Sequence, residues 1–166
     1  MVGIILLLVG AVLLHNGVCI LLKSDGKAAA TVNLMGGLII FILYMLYIVE
    51  TRDYLLGGVG LLFAITYIFI GVNSIWGIDI KPFGWFCLFT TLPIIGMLII
   101  TLRDGDGSWQ NIFLASMWLQ WGIVWFALFV EDALEKSLGK LVPYLCVLTA
   151  VTTGLIPGFM MMAGWW

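Results

Sequence analysis

The chain has 166 residues, of which 63% are apolar and only 10% are charged. Soluble domains usually carry about 25% charged residues, so this composition argues against a water-soluble enzyme or a disordered chain. The net charge of -2 leaves no basic surface for nucleic acid. We therefore expect an integral membrane protein.

All charged residues fall in five short clusters, at positions 23–27, 50–53, 79–81, 103–106 and 131–140. The clusters separate six apolar segments, which run approximately 2–22, 28–49, 54–76, 82–102, 109–130 and 141–164. About 20 apolar residues suffice for a helix to cross the hydrocarbon core, and continuous apolar runs exclude the alternation of a barrel. The sequence predicts an all-α bundle of six transmembrane helices, with residues 1–166 forming a single domain.

The basic residues predict the orientation of this bundle. Loops 1, 3 and 5 contain five lysines, namely Lys23, Lys27, Lys81, Lys136 and Lys140. Loops 2 and 4 contain only Arg52 and Arg103, so the odd-numbered loops are expected in the cytoplasm and both termini outside. Trp165 and Trp166 would then lie at the outer interface. We interpret the first segment as a helix, since it lacks the basic start and cleavage site of a signal peptide.

The first helix carries two neighbouring stripes. Gly3, Gly10 and Gly17 recur every seven residues, a spacing that lets another helix approach closely in lipid. The adjacent face is aliphatic and ends in an amide; its residues are Leu6, Val9, Leu13 and Asn16. His15 is the single histidine, and we favour a partly buried, hydrogen-bonded side chain over a pH sensor.

Aromatic residues form stripes on the third and fifth helices. Phe63 and Tyr67 are four residues apart, and Trp118, Trp121 and Trp125 follow one another at three and four residues. Such spacings place each set on one face of its helix. Tryptophans of an interfacial belt would lie at helix ends, whereas these lie at mid-membrane depth. A large packed core and the wall of a pore both remain possible interpretations of this pattern.

The membrane interior contains no ionic chemistry. No carboxylate, lysine or arginine lies within a predicted span, which argues against a proton-coupled transporter or a voltage sensor. The neutral polar groups in or near spans are Asn16, Asn33, Asn73 and Gln120, any of which could simply bridge two helices. Cys19, Cys87 and Cys146 lie in three different spans and match no disulfide or metal pattern. We find no enzyme motif and expect no catalytic residue, metal or cofactor.

Several motifs together resemble the AmiS/UreI family of bacterial urea and short-chain amide channels, over essentially the whole chain. The most specific is WLQWGIVW at 118–125, followed by Phe129 and Glu131. Further matches, in chain order, are Val9-Gly10 and Asn16-Gly17; Gly60 to Phe63, Thr66-Tyr67 and Asn73; Trp76-Gly77 to Pro82 with Trp85 and Phe89; Leu138-Gly139-Lys140; and Ile156-Pro157.

This resemblance implies a hexameric ring in the bacterial inner membrane, with one pore in each six-helix protomer. It also implies two narrow regions in that pore. The outer one would contain Phe63, Tyr67, Trp121, Val124 and Trp125. The inner one would contain Leu6, Val9, Leu13 and Trp118. The permeant would be urea or a short-chain amide, consumed by a cytoplasmic urease or amidase.

Two departures from the acid-gated members predict a pore without proton gating. Loops 2 and 4 are short and lack histidine, and Thr149 stands where those members carry a glutamate in the last helix. Three alternatives remain open: a channel for ammonia or water, a non-transporting assembly or sensory subunit, and, least compatible with the uncharged interior, a coupled transporter. The sequence alone does not distinguish urea from acetamide.

Overall fold

The computed structural model describes residues 1–166 and contains six long helices with no strands. Their bounds are α1 Val2–Leu21, α2 Gly26–Thr51, α3 Tyr54–Trp76, α4 Lys81–Asp104, α5 Trp109–Ala133 and α6 Leu141–Met162. All six are long and apolar enough to cross a membrane, so the six-span prediction is confirmed. The predicted bounds agree to within a few residues, the largest difference being at the end of α5.

Side chains at the short turns explain where several helices begin. The carboxylates of Asp25 and Asp53 accept hydrogen bonds from the backbone N–H groups of Lys27 and Leu56, at the starts of α2 and α3. The Ser108 hydroxyl accepts one from the N–H of Asn111 at the start of α5. Each bond satisfies an N–H group that has no partner within its own helix. The charged clusters thus end one span and begin the next.

The last two helices contain wider turns that the sequence pattern did not predict. Helix α5 ends in a π-helical turn, Phe129–Ala133. Helix α6 is interrupted by a second one, Ala150–Leu155, between the α-helical segments Leu141–Thr149 and Ile156–Met162. Pro157 has no N–H to donate to the preceding turn, and this missing bond accounts for a local change of hydrogen-bonding pattern just before it.

The helices form a closed ring in which each packs against its neighbours in the chain, and α1 packs against α6. The glycine stripe of α1 makes this last contact. A Cβ atom at Gly3, Gly10 or Gly17 would lie 2.8–2.9 Å from a backbone oxygen of α6, namely that of Gly158, Ala150 or Pro143 respectively. The glycines therefore serve close helix packing, as predicted, and leave α1, α3 and α5 to meet through side chains at the centre of the ring.

The loops segregate to two ends of the bundle. Lys81 in α4 and Glu135 in loop 5 form an ion pair of 3.0 Å, which shows that loops 3 and 5 lie at one end. The rings of Trp109 and Trp166 are 5.4 Å apart at the other end, where loop 4 and the C-terminus meet. We call these the odd-loop end and the terminal end.

Candidate functional site

A cavity of about 320 Å³ opens at the odd-loop end and extends into the centre of the ring. Its mouth includes Lys23, Glu131 and Asp132, and its walls are mainly apolar. The predicted site residues that line it are Leu13, Asn16, Phe63, Tyr67, Trp121, Val124 and Trp125. Since a water molecule occupies about 30 Å³ in the liquid, several small solutes fit inside.

The deepest part of the cavity contains an aromatic cluster formed by Phe63, Tyr67, Trp121 and Trp125. The Phe63 ring meets the two indoles edge to face, with centroid distances of 4.9 Å to Trp121 and 4.5 Å to Trp125. All four side chains are at most 4% exposed. Edge-to-face contacts of this kind fix the relative orientation of the rings, so the cluster gives the cavity wall a defined shape.

The two indoles of the aromatic cluster differ in their polar atoms. The Trp125 Nε1–H donates to the Thr66 hydroxyl at 3.2 Å, and that hydroxyl donates in turn to the Leu62 carbonyl at 2.7 Å. The Trp121 Nε1–H has no partner although it is buried. An unpaired buried donor is costly unless a solute can use it. Trp125 therefore presents its ring alone, while Trp121 also offers a hydrogen-bond donor.

Three predicted residues lie beyond this cavity. Leu6, Val9 and Trp118 do not line it, and each is at most 5% exposed. The Trp118 indole contacts Trp121 edge to face at 5.0 Å, and its Nε1–H likewise lacks a partner. These side chains therefore form a packed layer on the far side of the aromatic cluster.

The inner and outer labels of the two narrow regions conflict with the orientation that the lysines predict. Helix α1 begins at the terminal end, so Leu6 and Val9 lie nearer that end than Leu13 does. Helices α3 and α5 run toward the odd-loop end, so Tyr67 and Trp125 lie nearer loops 3 and 5. With the odd-loop end in the cytoplasm, the aromatic cluster is on the cytoplasmic side and the Leu6–Val9–Trp118 layer on the outer side. The inner and outer labels, which the family resemblance implied, are therefore interchanged if the lysines predict the orientation correctly.

The polar groups in the spans have different roles. Asn16 pairs with Asn33, and Gln120 accepts a hydrogen bond of 2.5 Å from the Thr152 hydroxyl, so these amides bridge helices. Asn73 is buried, and its Nδ2 has no partner. His15 is partly buried, and its Nε2 lies 3.5 Å from the Cys19 sulfur.

Several residues of the site were not predicted from the sequence. Thr66, Val142 and Cys146 line the cavity, and Asn33 supports its wall through Asn16. The four-residue spacing of Val142 and Cys146 would place both on one face of α6, a signal that is weak in a helix apolar all round. No group of His, Cys, Asp and Glu side chains suited to a metal ion is present.

Comparison with known proteins places this arrangement in a family. The model of the AmiS/UreI family of transporters matches residues 1–165. The chain belongs to the AmiS/UreI family. It is 30% identical to an acid-activated urea channel of Helicobacter pylori, over the whole length of both chains, and 30% identical to a putative amidate-substrate transporter protein of Mycolicibacterium smegmatis, over 99% of this chain and 78% of that one.

Solved structures of this family have the same fold. The Helicobacter pylori urea channel in a closed state matches with a TM-score of 0.89 at 29% identity, and a crystal structure of the urea channel from that organism matches with 0.86 at 30%. Both matches cover the whole of this chain and at least 99% of the other. The six-helix ring is therefore the fold of the AmiS/UreI family.

Proposed function

We propose that this protein is a passive channel for urea or a short-chain amide. The observation that supports this most directly is the cavity, which leads from the odd-loop end to an aromatic cluster with one free indole N–H. The family relationship agrees with it, because relatives are named as urea channels and amide-type transporters. The proposal requires no covalent step and no cofactor.

The aromatic cluster suits a flat, neutral and polar solute. Urea and small amides present two apolar faces and a polar edge, so rings can contact the faces while the Trp121 N–H donates to the carbonyl oxygen. An ion would lose its hydration without gaining a compensating charge, because the charged residues of the cavity are confined to its mouth. Weak contacts at successive points allow a solute to leave as readily as it enters.

A second narrow region completes the proposed path. This region separates the cavity from the terminal end and consists of Leu6, Val9 and Trp118. Leu13 lies on the side of this region that faces the cavity. Passage to the other side of the membrane requires these packed side chains to move apart, so the structure corresponds in our proposal to a closed channel. The Trp118 N–H would provide a second donor along the path.

The wider setting follows from the sequence and the family relationship. We place the odd-loop end in the cytoplasm of a bacterium, the termini outside the inner membrane, and one pore in each protomer of a homohexamer. A cytoplasmic urease or amidase would consume the solute and so maintain inward flux. Nothing in this scheme requires direct contact with that enzyme.

The first test is stopped-flow uptake into proteoliposomes. We expect urea and acetamide to enter much faster than in protein-free vesicles, along their gradients only, with no measurable sodium or potassium current. Competition among urea, acetamide and larger amides would rank the permeants. Water or ammonia flux without urea flux would favour the alternative neutral solutes, and no flux at all would favour a non-transporting subunit.

We also expect urea flux to change less than about twofold between pH 7 and pH 5. Loops 2 and 4 contain no histidine, and hydrogen bonds from the Ser108 hydroxyl and N–H hold the pKa of Asp106 in loop 4 below its usual range. A carboxyl with a lowered pKa is ionised above that value, so the Asp106 carboxylate stays charged throughout this interval.

The comparison with the acid-activated relative supports the same expectation. Its alignment spans 198 positions against 166 residues here, so at least 32 residues of that relative have no counterpart in this chain. A steep rise in flux on acidification would contradict the expected absence of proton gating, but not the proposed channel. The residues to replace would then be His15 and the carboxylates at loops 2 and 4, namely Glu50, Asp53, Asp104 and Asp106.

A further inference from the structure

Asn16 lines the cavity one helical turn nearer the odd-loop end than Leu13, and it is paired with Asn33 of α2. Its Nδ2 donates to the Asn33 Oδ1 at 3.0 Å, and its Oδ1 accepts from the Asn33 Nδ2 at 2.5 Å. The two amides therefore exchange two hydrogen bonds, in the manner of a carboxamide dimer. Asn16 is 9% exposed and Asn33 is 0% exposed, so one amide reaches the cavity and the other supports it.

The Asn33 amide is held in one orientation. Its Nδ2 donates a second bond, of 2.9 Å, to the Ala29 carbonyl one turn earlier in α2. A carbonyl oxygen can only accept, so this bond identifies which atom of the Asn33 amide is the nitrogen. The reciprocal pairing then determines the orientation of Asn16 as well. The orientation of both amides therefore follows from the backbone of α2.

This arrangement leaves half of the hydrogen-bonding capacity of the Asn16 amide unused. Each carboxamide has two N–H donors and can accept two hydrogen bonds at its oxygen. The pair with Asn33 uses one donor and one acceptor position of Asn16, and no other protein group bonds to it. One N–H and one lone pair therefore remain, on the side chain that faces the cavity.

We propose that Asn16 is a binding site for the carboxamide group of the permeant, and that Asn33 is the positioning residue that orients the Asn16 amide. A primary amide or urea can donate an N–H to the free lone pair of the Asn16 oxygen, or its carbonyl can accept from the free Asn16 N–H. These two groups lie on opposite edges of the paired amide, so a passing solute would use them one after the other. Asn16 lies between the cavity mouth and the aromatic cluster, so a solute entering from the cytoplasm would meet Asn16 before it reached the cluster. This inference rests on the proposed function and specifies the chemical class of permeant, a molecule with both N–H and carbonyl groups.

The test compares Asn16→Leu, Asn33→Leu and the double variant in proteoliposomes, with Asn73→Leu as a matched control. Asn73 is a buried amide on α3 that does not line the cavity. We expect Asn16→Leu and Asn33→Leu each to lower urea and acetamide flux about fivefold relative to water flux, as expected for the loss of one or two net hydrogen bonds. The control should keep the wild-type ratio of urea to water permeability.

The double variant distinguishes positioning from general damage. If Asn33 acts through Asn16, adding Asn33→Leu to Asn16→Leu produces no further loss. Full additivity, or an unchanged urea-to-water ratio in Asn16→Leu, would overturn the inference while wild-type flux still supported the channel. Absence of wild-type urea flux would overturn the proposed function and this inference together. If Asn33→Leu does not assemble, Asn33→Ser, too short to make both contacts with Asn16, replaces it in the same comparison.

Discussion

Replacing Trp121 with alanine is expected to lower the ratio of urea to water permeability by about tenfold. The change removes an indole that meets Phe63 edge to face and the one cavity-lining indole N–H without a protein partner. An aromatic contact and a hydrogen bond are each worth about 0.5–1.5 kcal/mol, and a tenfold change corresponds to about 1.4 kcal/mol. The space that the indole leaves in the aromatic cluster should also admit larger amides. Stopped-flow light scattering with urea, acetamide and butyramide measures both effects.

Two further variants sharpen this prediction. Trp85→Ala is the matched control, because that tryptophan is 57% exposed on α4 and does not line the cavity. Trp121→Phe keeps a ring but removes the N–H, so it should lose urea flux without admitting larger amides. An unchanged selectivity series in Trp121→Ala would show that the aromatic cluster is packing and not the wall of a pore.

The Gly10→Ala substitution is expected to destabilise the bundle by about 1–3 kcal/mol, the usual cost of overpacking. A Cβ there would lie 2.8 Å from the Ala150 carbonyl oxygen, 2.9 Å from the Gly154 Cα and 3.1 Å from the Leu155 nitrogen. All three atoms belong to the backbone, so the clash cannot be relieved by rotating a side chain. Helices α1 and α6 must separate, and the unfolding temperature in detergent should fall.

Gly58→Ala provides the control for this effect. Gly58 lies in α3 and is exposed, and no atom of a neighbouring helix lies within 4 Å of the position that its Cβ would take. Alanine favours a helix over glycine by up to about 1 kcal/mol, so this variant should be as stable as the wild type or slightly more so. Equal unfolding temperatures for the two variants would contradict the close α1–α6 contact.

The positions of the spans could be predicted because charge and apolar length are local properties of a membrane sequence. Each charged cluster marks a loop, and the seven-residue spacing of Gly3, Gly10 and Gly17 indicates a packing face without naming its partner helix. The π-helical turns of α5 and α6 could not be predicted in this way, because a change of hydrogen-bonding pattern leaves composition unaltered. Pro157 is visible in the sequence, but its effect depends on how α6 packs against α1.

The candidate site was predictable in part of its membership and not in its organisation. The aromatic stripes of α3 and α5 identified Phe63, Tyr67, Trp121 and Trp125, and all four line the cavity. Which indole N–H is satisfied depends on Thr66, which lies on a different helix from either indole. The pairing of Asn16 with Asn33 likewise requires the register of α1 against α2. Such relations between helices are set by tertiary packing, for which a single sequence carries little signal.

The ring of helices also bears on the order in which the protein is built. Most contacts join a helix to the one made just before it, so each span can dock as it enters the membrane. The contact between α1 and α6 is the main exception, because it joins the first of the six spans to the sixth. Val142 and Cys146 of α6 belong to the cavity wall, so the cavity stays open along one side until α6 has docked. A chain that ends before α6 would present the unpaired glycine face of α1 to lipid and would enclose no cavity.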